Sequence, residues 1–134
     1  SVLANIGNLA TTSEAQAGTD DVKYLSPLKL RKGLNASGTA PIYACRAWVN
    51  FNGTGTVAIR ASGNVSSITD NGAGDYTANF TTAMEDVNYS FQIIAAAAWS
   101  ISVYSQTTTS LRFGTQANTT HFIDYSKINI AIFR

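Results

Sequence analysis

Carboxylates are the first residues to test for chemistry in this chain, because glycosidic cleavage needs two of them facing each other at a set separation. Asp70 and Asp75 flank one glycine-rich run, Asp70-Asn71-Gly72-Ala73-Gly74-Asp75, and Glu85-Asp86 lies in a polar connection. Turn chemistry accounts for the first pair, since Asp caps and starts turns. The second pair reads as a solvated loop. The single histidine, His121, stands at the start of an extended segment and is weak support for a Ser-His-Asp arrangement. Without clustered His and Cys, no transition-metal site is expected within one chain, and no cofactor. The lone cysteine, Cys45, falls in an apolar strand pattern and is expected to be buried as a small hydrophobe. Binding, rather than catalysis, is the chemistry this inventory supports, and no enzyme is expected.

The elements that position these residues change character along the chain. The 134 residues are 45% hydrophobic and 13% charged, about half the usual charged share of a globular domain. Much of the surface is therefore left to Thr, Ser, Asn and Gly, or hidden in contacts between chains. Net charge is +1 and no basic run exceeds Arg31-Lys32, so the patch that neutralises phosphates is missing and no nucleic acid is expected as a partner. No apolar stretch approaches the ~20 residues of a membrane span, and no membrane insertion is expected. There is no signal peptide, and the start at Ser1 reads as a cut within a longer chain. One cysteine also argues against a disulfide-stapled secreted domain.

Residues 1–40 read as a helical neck and linker. Thr12-Ser13-Glu14 with Gly18 predicts a capped helical turn ending on a glycine that tolerates positive φ. Asp20-Asp21 begins a turn and Val22 to Leu25 looks briefly extended. Ser26-Pro27 starts a second helix with Arg31-Lys32 in its last turn, Ser26 as cap, Pro27 at the first helical position, Gly33 following the end and basic residues favouring the helix dipole. Two such turns do not stand alone in water. Their few apolar residues, Val22, Leu25, Leu28, Leu30 and Leu34, must pack against the following domain or against copies of themselves. Asn35 to Pro41 reads as a linker.

Residues 41–134 read as all β. From Tyr43 to Phe51, Cys45, Ala47, Val49 and Phe51 share one face, with Arg46 and Trp48 on the other. Asn52-Gly53 signals a hairpin, returning through Val57, Ile59 and Ala61. Further strands are expected at Val65–Ile68, Tyr76–Phe80, Tyr89–Ala96, Ser100–Tyr104, Ser110–Phe113 and Ile128–Ile132. The stretch Ala95 to Ala98 is read as strand because β-favouring residues flank it. Seven to nine short strands at about ten-residue spacing predict an antiparallel β-sandwich or barrel-like domain.

Two blocks of sequence carry a resemblance. Ala17-Gly18-Thr19-Asp20-Asp21, then Lys23 and Ser26-Pro27-Leu28, resembles the short helical element of phage tail-fibre and tail-collar proteins. Cys45-Arg46-Ala47-Trp48-Val49-Asn50-Phe51-Asn52-Gly53-Thr54 resembles the start of a C-terminal domain common in phage and prophage fibres. That likeness continues through Ser62-Gly63-Asn64-Val65, Gly74-Asp75-Tyr76, Asn79-Phe80 and Ile130-Ala131-Ile132-Phe133-Arg134. The resemblance implies a homotrimeric fibre, made in the bacterial host cytoplasm and carried on the virion. It implies a shaft joined at the N-terminus and a distal part that contacts the host surface. Residues 95–122 match no pattern of the family.

Under that resemblance several residues take a second reading. Six Asn-x-Ser/Thr sequons, at Asn35, Asn52, Asn64, Asn79, Asn88 and Asn118, reflect an Asn/Thr-rich surface rather than glycosylation. Trimerisation offers three copies of His121 a place on the axis, although three separate loops are the simpler expectation. Trp48, Trp99, Tyr104 and Tyr43 are the residue types that stack on sugar rings. Trp48, in mid-strand, is expected in the core or a trimer interface; Trp99, at a strand junction, is open between the two roles.

Strand parity narrows the contact region. If the first strand runs away from the shaft and its neighbours alternate, then 52–55, 70–75, 97–100 and 114–120 are far-end loops. Loops 62–64, 81–88 and 105–109 then face the shaft. The far-end set presents Asn52, Thr54, Asn71, Asp75, Trp99, Gln116, Asn118 and Thr119, a hydrogen-bonding inventory suited to saccharide hydroxyls. Three copies on one tip add avidity, so each site can be weak. The expected function is host attachment, to a surface polysaccharide or an outer-membrane receptor. The alternative is a structural trimerising cap with no receptor contact.

Overall fold

A computed structural model describes residues 8–134, so the reading of Ser1 lies outside the described residues. The chain divides into two compact units, Ser1–Ile42 and Tyr43–Arg134.

In the first unit, Thr11 caps helix α1 (Thr12–Ala17) through a reciprocal box with Glu14, and Gly18 ends it at φ 62°. Ser26 caps α2 (Pro27–Gly33), with Pro27 in its first turn. The helices approach closely at Gly33, where a Cβ would fall 3.1 Å from the Ala15 carbonyl oxygen. Gln16 bridges the Lys32 carbonyl and the Asn35 side chain, and Lys29 donates to Thr12. Tyr24 pairs with Leu9 in a short parallel bridge. Among the described residues of this unit only Ala10 is a buried hydrophobe, while Val22, Leu25, Leu28, Leu30 and Leu34 are each more than half exposed.

The second unit is two packed antiparallel sheets of four strands each. Sheet I is ordered β2-β1-β8-β5 and is built from β1 (Cys45–Asn52), β2 (Ala58–Gly63), β5 (Ser90–Ala95) and β8 (Ile128–Phe133). Sheet II is ordered β3-β4-β7-β6, from β3 (Val65–Gly72), β4 (Asp75–Phe80), β6 (Ser100–Gln106) and β7 (Ser110–Gln116). Alternation supplies the core. Val49, Phe51, Ile128, Ile130 and Ile132 from sheet I meet Tyr76, Ala78, Leu111 and Phe113 from sheet II. Each large side chain so buried contributes roughly 1.5–3 kcal/mol. Phe51 packs edge-on to Tyr76 at 5.3 Å between ring centres, and Phe80 likewise to Tyr89 at 5.8 Å.

Two expectations are corrected and a third is narrowed. Residues 96–99 leave the strand, with Ala97 at φ 66° in a turn between β5 and β6. The small side chains tolerate this left-handed residue and leave the turn close to the sheet. Cys45 is exposed, not buried. Its alternation phase is right, but a register shift between Cys45 and Ala47 interrupts the pairing with β8 at the strand's first residue. Burial begins only at Ala47. Of the two places expected for Trp48 the core is excluded: it stands on the outer face of sheet I, 43% exposed.

Candidate functional site

One end of the sandwich is knitted from four loops. Tyr76 is fully buried, and its hydroxyl reaches Asp124 Oδ1 at 2.5 Å and the Gly53 carbonyl at 3.1 Å. Burial first, and the Asp124 carboxylate second, push this phenol far above the usual tyrosine range. The same Asp124 oxygen accepts the Gly74 amide at 2.7 Å. Gly53 donates its amide to the Tyr125 carbonyl, Trp99 donates to Gln116, and Ala96 donates to Lys127. Gly74 has no alternative residue here. Its φ is 63°, and a Cβ would fall 2.6 Å from backbone atoms of both Ile123 and Thr115. The loops at 53–57, 73–74, 96–99 and 117–127 thus form one bonded end.

The opposite end holds both termini of the β-unit. There Asn64, at φ 56°, donates to the Arg46 and Thr82 carbonyls and accepts from the Thr82 amide. Tyr89 points its hydroxyl at the Thr107 and Ser110 carbonyls, and burial pushes it up to about 12. An open cleft of about 560 Å³ lies at this end, lined by Tyr43, Asn88, Ser90, Phe133 and Arg134. Asp86 grips the Arg134 guanidinium beside it.

The eight residues expected as a contact set fall into different situations at the four-loop end. Asn52 and Thr54 close on each other: the Asn52 side chain donates to the Thr54 carbonyl and accepts the Thr54 hydroxyl, both at 2.8 Å. Asn118 is likewise engaged by the Thr120 amide, beside an exposed Thr119. Gln116 is buried, its side-chain oxygen accepting the Ser102 hydroxyl, so it holds the Trp99 backbone rather than facing outward. Trp99 is 63% exposed. Asn71 and Asp75 lie together on the outer face of sheet II.

Around Asn71 and Asp75 the outer face is built into a cluster. Arg112 on β7, paired with Thr77 and so diagonal to Asp75, grips Asp75 with two parallel bonds, Nε at 3.0 Å and Nη2 at 2.7 Å. The Asn71 amide bridges Asp75 and the Thr77 hydroxyl. Arg112 holds the Asp75 carboxyl below the usual carboxylate range. Its guanidinium carbon also lies 5.5 Å from the centre of the Tyr104 ring. Tyr104 and Phe122, their ring centres 6.2 Å apart, both lean over Gly114. A Cβ on Gly114 would meet the Tyr104 hydroxyl at 2.4 Å and Phe122 at 2.8 Å. The result is a line of amide, carboxylate, guanidinium and aromatic groups across all four strands of sheet II.

Sequence reasoning missed Arg112, Phe122 and Asp124, and named Tyr104 only as an aromatic. A signal was present for part of this. A single glycine inside a strand, as in Leu111-Arg112-Phe113-Gly114-Thr115, marks a close approach; what approaches was not readable. Three of the four carboxylates weighed for catalysis have other partners: Asp70 accepts the Gly72 amide, Asp75 holds Arg112, and Asp86 holds Arg134 and the Asn88 amide. His121 is an exposed loop residue. Among the described residues no three His, Cys, Asp or Glu side chains gather as a metal set, and no helix is long and apolar enough to cross a membrane. Comparison with protein families, curated proteins and solved structures finds no match to this chain.

Proposed function

We propose that the chain is the tip module of a phage tail fibre, a non-enzymatic homotrimer that attaches the virion to a host-surface glycan. The observation that carries the attachment reading is the four-loop end with its flanking cluster. Exposed Trp99 and the Asn71–Asp75–Arg112–Tyr104 line are mounted on loops and strands pinned by Tyr76 and Asp124. Rigid mounting lowers the ordering cost of binding, and the mixture of aromatic faces with planar hydrogen-bonding groups matches the amphipathic faces of a saccharide. The far end is opposite the end where the β-unit's chain begins, which suits a module joined to a shaft through its N-terminal neck. Among the neck's described residues the leucines are exposed and Ala10 alone is a buried hydrophobe, which favours self-association.

The test is direct. The purified chain is expected to sediment as a trimer and to bind susceptible cells or their purified envelope polysaccharide, without releasing shortened glycan. Binding should weaken at least tenfold, about 1.4 kcal/mol, for the double variant Trp99→Ala, Tyr104→Ala. A monomer at micromolar concentration ends the trimer claim. Normal assembly with no binding to any susceptible strain makes the chain a structural cap instead.

A further inference from the structure

The outer face of sheet I carries a charge that its opposite number does not. Its four strands contain Arg46 and Arg60 and no Asp or Glu, a charge of +2. The strands of sheet II contain Asp70 and Asp75 against Arg112, a charge of −1. The arginines also differ in occupation. Arg112 and Arg134 are each gripped by a carboxylate. Among the described residues Arg46 and Arg60 have no Asp or Glu partner: Arg60 donates to the Ser126 carbonyl at 2.6 Å and to Asn50 at 3.4 Å, and Arg46 to the main-chain oxygen of the last residue, Arg134, at 3.4 Å. Both side chains are exposed.

Between them lies an aromatic platform. A Cβ on Gly63, the residue paired with Trp48 on β2, would sit 2.4 Å from Trp48 Nε1, 2.9 Å from Cδ1 and 3.2 Å from Cε2. The N–H side of the indole therefore lies against the glycine, and the tryptophan remains 43% exposed. The residue on its other side, across β8, is Ala131, too short to cover the ring. The indole N–H bonds to no protein acceptor among the described residues. Along β1, Arg46 and Asn50 lie two residues to either side, about 7 Å each way, and Asn50 is where the Arg60 head group docks. Asn50 and Asn129, bonded to each other at 2.5 Å, and exposed Gln92 on β5 lie along its margin, where exposed Ile94, paired with Asn129, is an apolar neighbour.

We infer that the outer face of sheet I is a binding site for an acidic saccharide, with a sugar ring stacked on Trp48 and carboxylates received by Arg60 and Arg46. A neutral sugar would use the platform but leave both guanidiniums unanswered. A simple anion would use the guanidiniums but leave the platform empty. A chain of uronic acids answers both, because it alternates a ring with a carboxylate at a spacing of the same order as the strand's side-chain repeat. Binding here needs neither a trimer nor a phage.

The test titrates the whole chain with trigalacturonate and, as the uncharged control, with its methyl ester. The ligand is followed through the two indole N–H resonances, assigned with Trp99→Phe. The free acid is expected to shift the Trp48 signal and leave Trp99 in place. It should bind at least tenfold more tightly than the ester, and weaken several-fold from low to high salt. Arg60→Gln and Arg46→Gln should each cost several-fold for the acid and nothing for the ester, and both substitutions leave the fold intact because the side chains are exposed. Equal binding of acid and ester overturns the inference, as does a shift at Trp99 alone. So does a Trp48 signal protected by association of the free chain, since the face would then belong to a second copy.

Discussion

Trp48 lies over Gly63 on one sheet, and Tyr104 with Phe122 lies over Gly114 on the other. Both faces thus use one device: a strand position without a side chain lets a ring lie against the sheet. What surrounds the ring differs. On sheet II an arginine, a carboxylate and an amide satisfy one another and leave a face near neutrality. On sheet I the arginines meet only carbonyls and an amide, and the positive charge stays available. The same sandwich can therefore present two binding chemistries without change to its core.

The glycines themselves separate the faces most sharply. Gly114 is buried in a central strand beneath two rings, whereas Gly63 ends an edge strand beneath one. Gly114→Val should destabilise by about 3 kcal/mol, because both rings and the 117–127 loop have to move. Gly63→Val should cost less than about 1 kcal/mol, since valine suits a strand and only an exposed indole is displaced. Chemical denaturation of the two variants measures both. Equal losses would mean that the two platforms are not mounted differently.

Alkaline titration separates the inside of the sandwich from its faces. Tyr89 is held protonated to about 12 and Tyr76 beyond that, both chiefly by burial. A raised phenol stabilises the fold fully below its unfolded value of about 10, and that contribution is lost as pH rises from there through the folded value. Unfolding is therefore expected to set in above about pH 10, with the Tyr76 and Tyr89 phenolates appearing with it. Tyr76→Phe should soften this loss.

Asp75→Asn gives the smallest change in stability and the most informative one in binding. Arg112 lowers the Asp75 carboxyl, so the pair's contribution is present above the unfolded carboxylate value of about 3.9 and lost as pH falls through the folded value. The variant should melt a few degrees lower at pH 7, at most, and match the original chain at low pH. It also frees Arg112, so sheet II should gain a weak preference for the acidic saccharide and lose part of the difference between the faces.

Both short helices of the neck were legible, although α1 is capped by Thr11 and α2 takes in Gly33, expected just past its end. Ser26-Pro27 and the glycine at 18 act within a single turn of chain, where local chemistry decides. The strands of the β-unit were legible for a similar reason: Ala47-Val49-Phe51 and Ile128-Ile130-Ile132 alternate because one face meets the other sheet. The exceptions occur where local preference met a tertiary demand. The alanines at 96–98 turn because β5 and β6 belong to different sheets, and Cys45 is exposed because its pairing with β8 is interrupted there.

The sites were much less legible, because their bonds span long stretches of chain. Asp75 meets Arg112 across 37 residues and Tyr76 meets Asp124 across 48. Nothing in the alternation of either strand names its partner. The sequence by itself determined most of which residues face in and, outside residues 96–99, most of where the chain turns, because alternation and turn chemistry act locally. Only the tertiary structure decided which glycine lies under which ring and which arginines keep their charge, since both follow from the order of strands across a sheet.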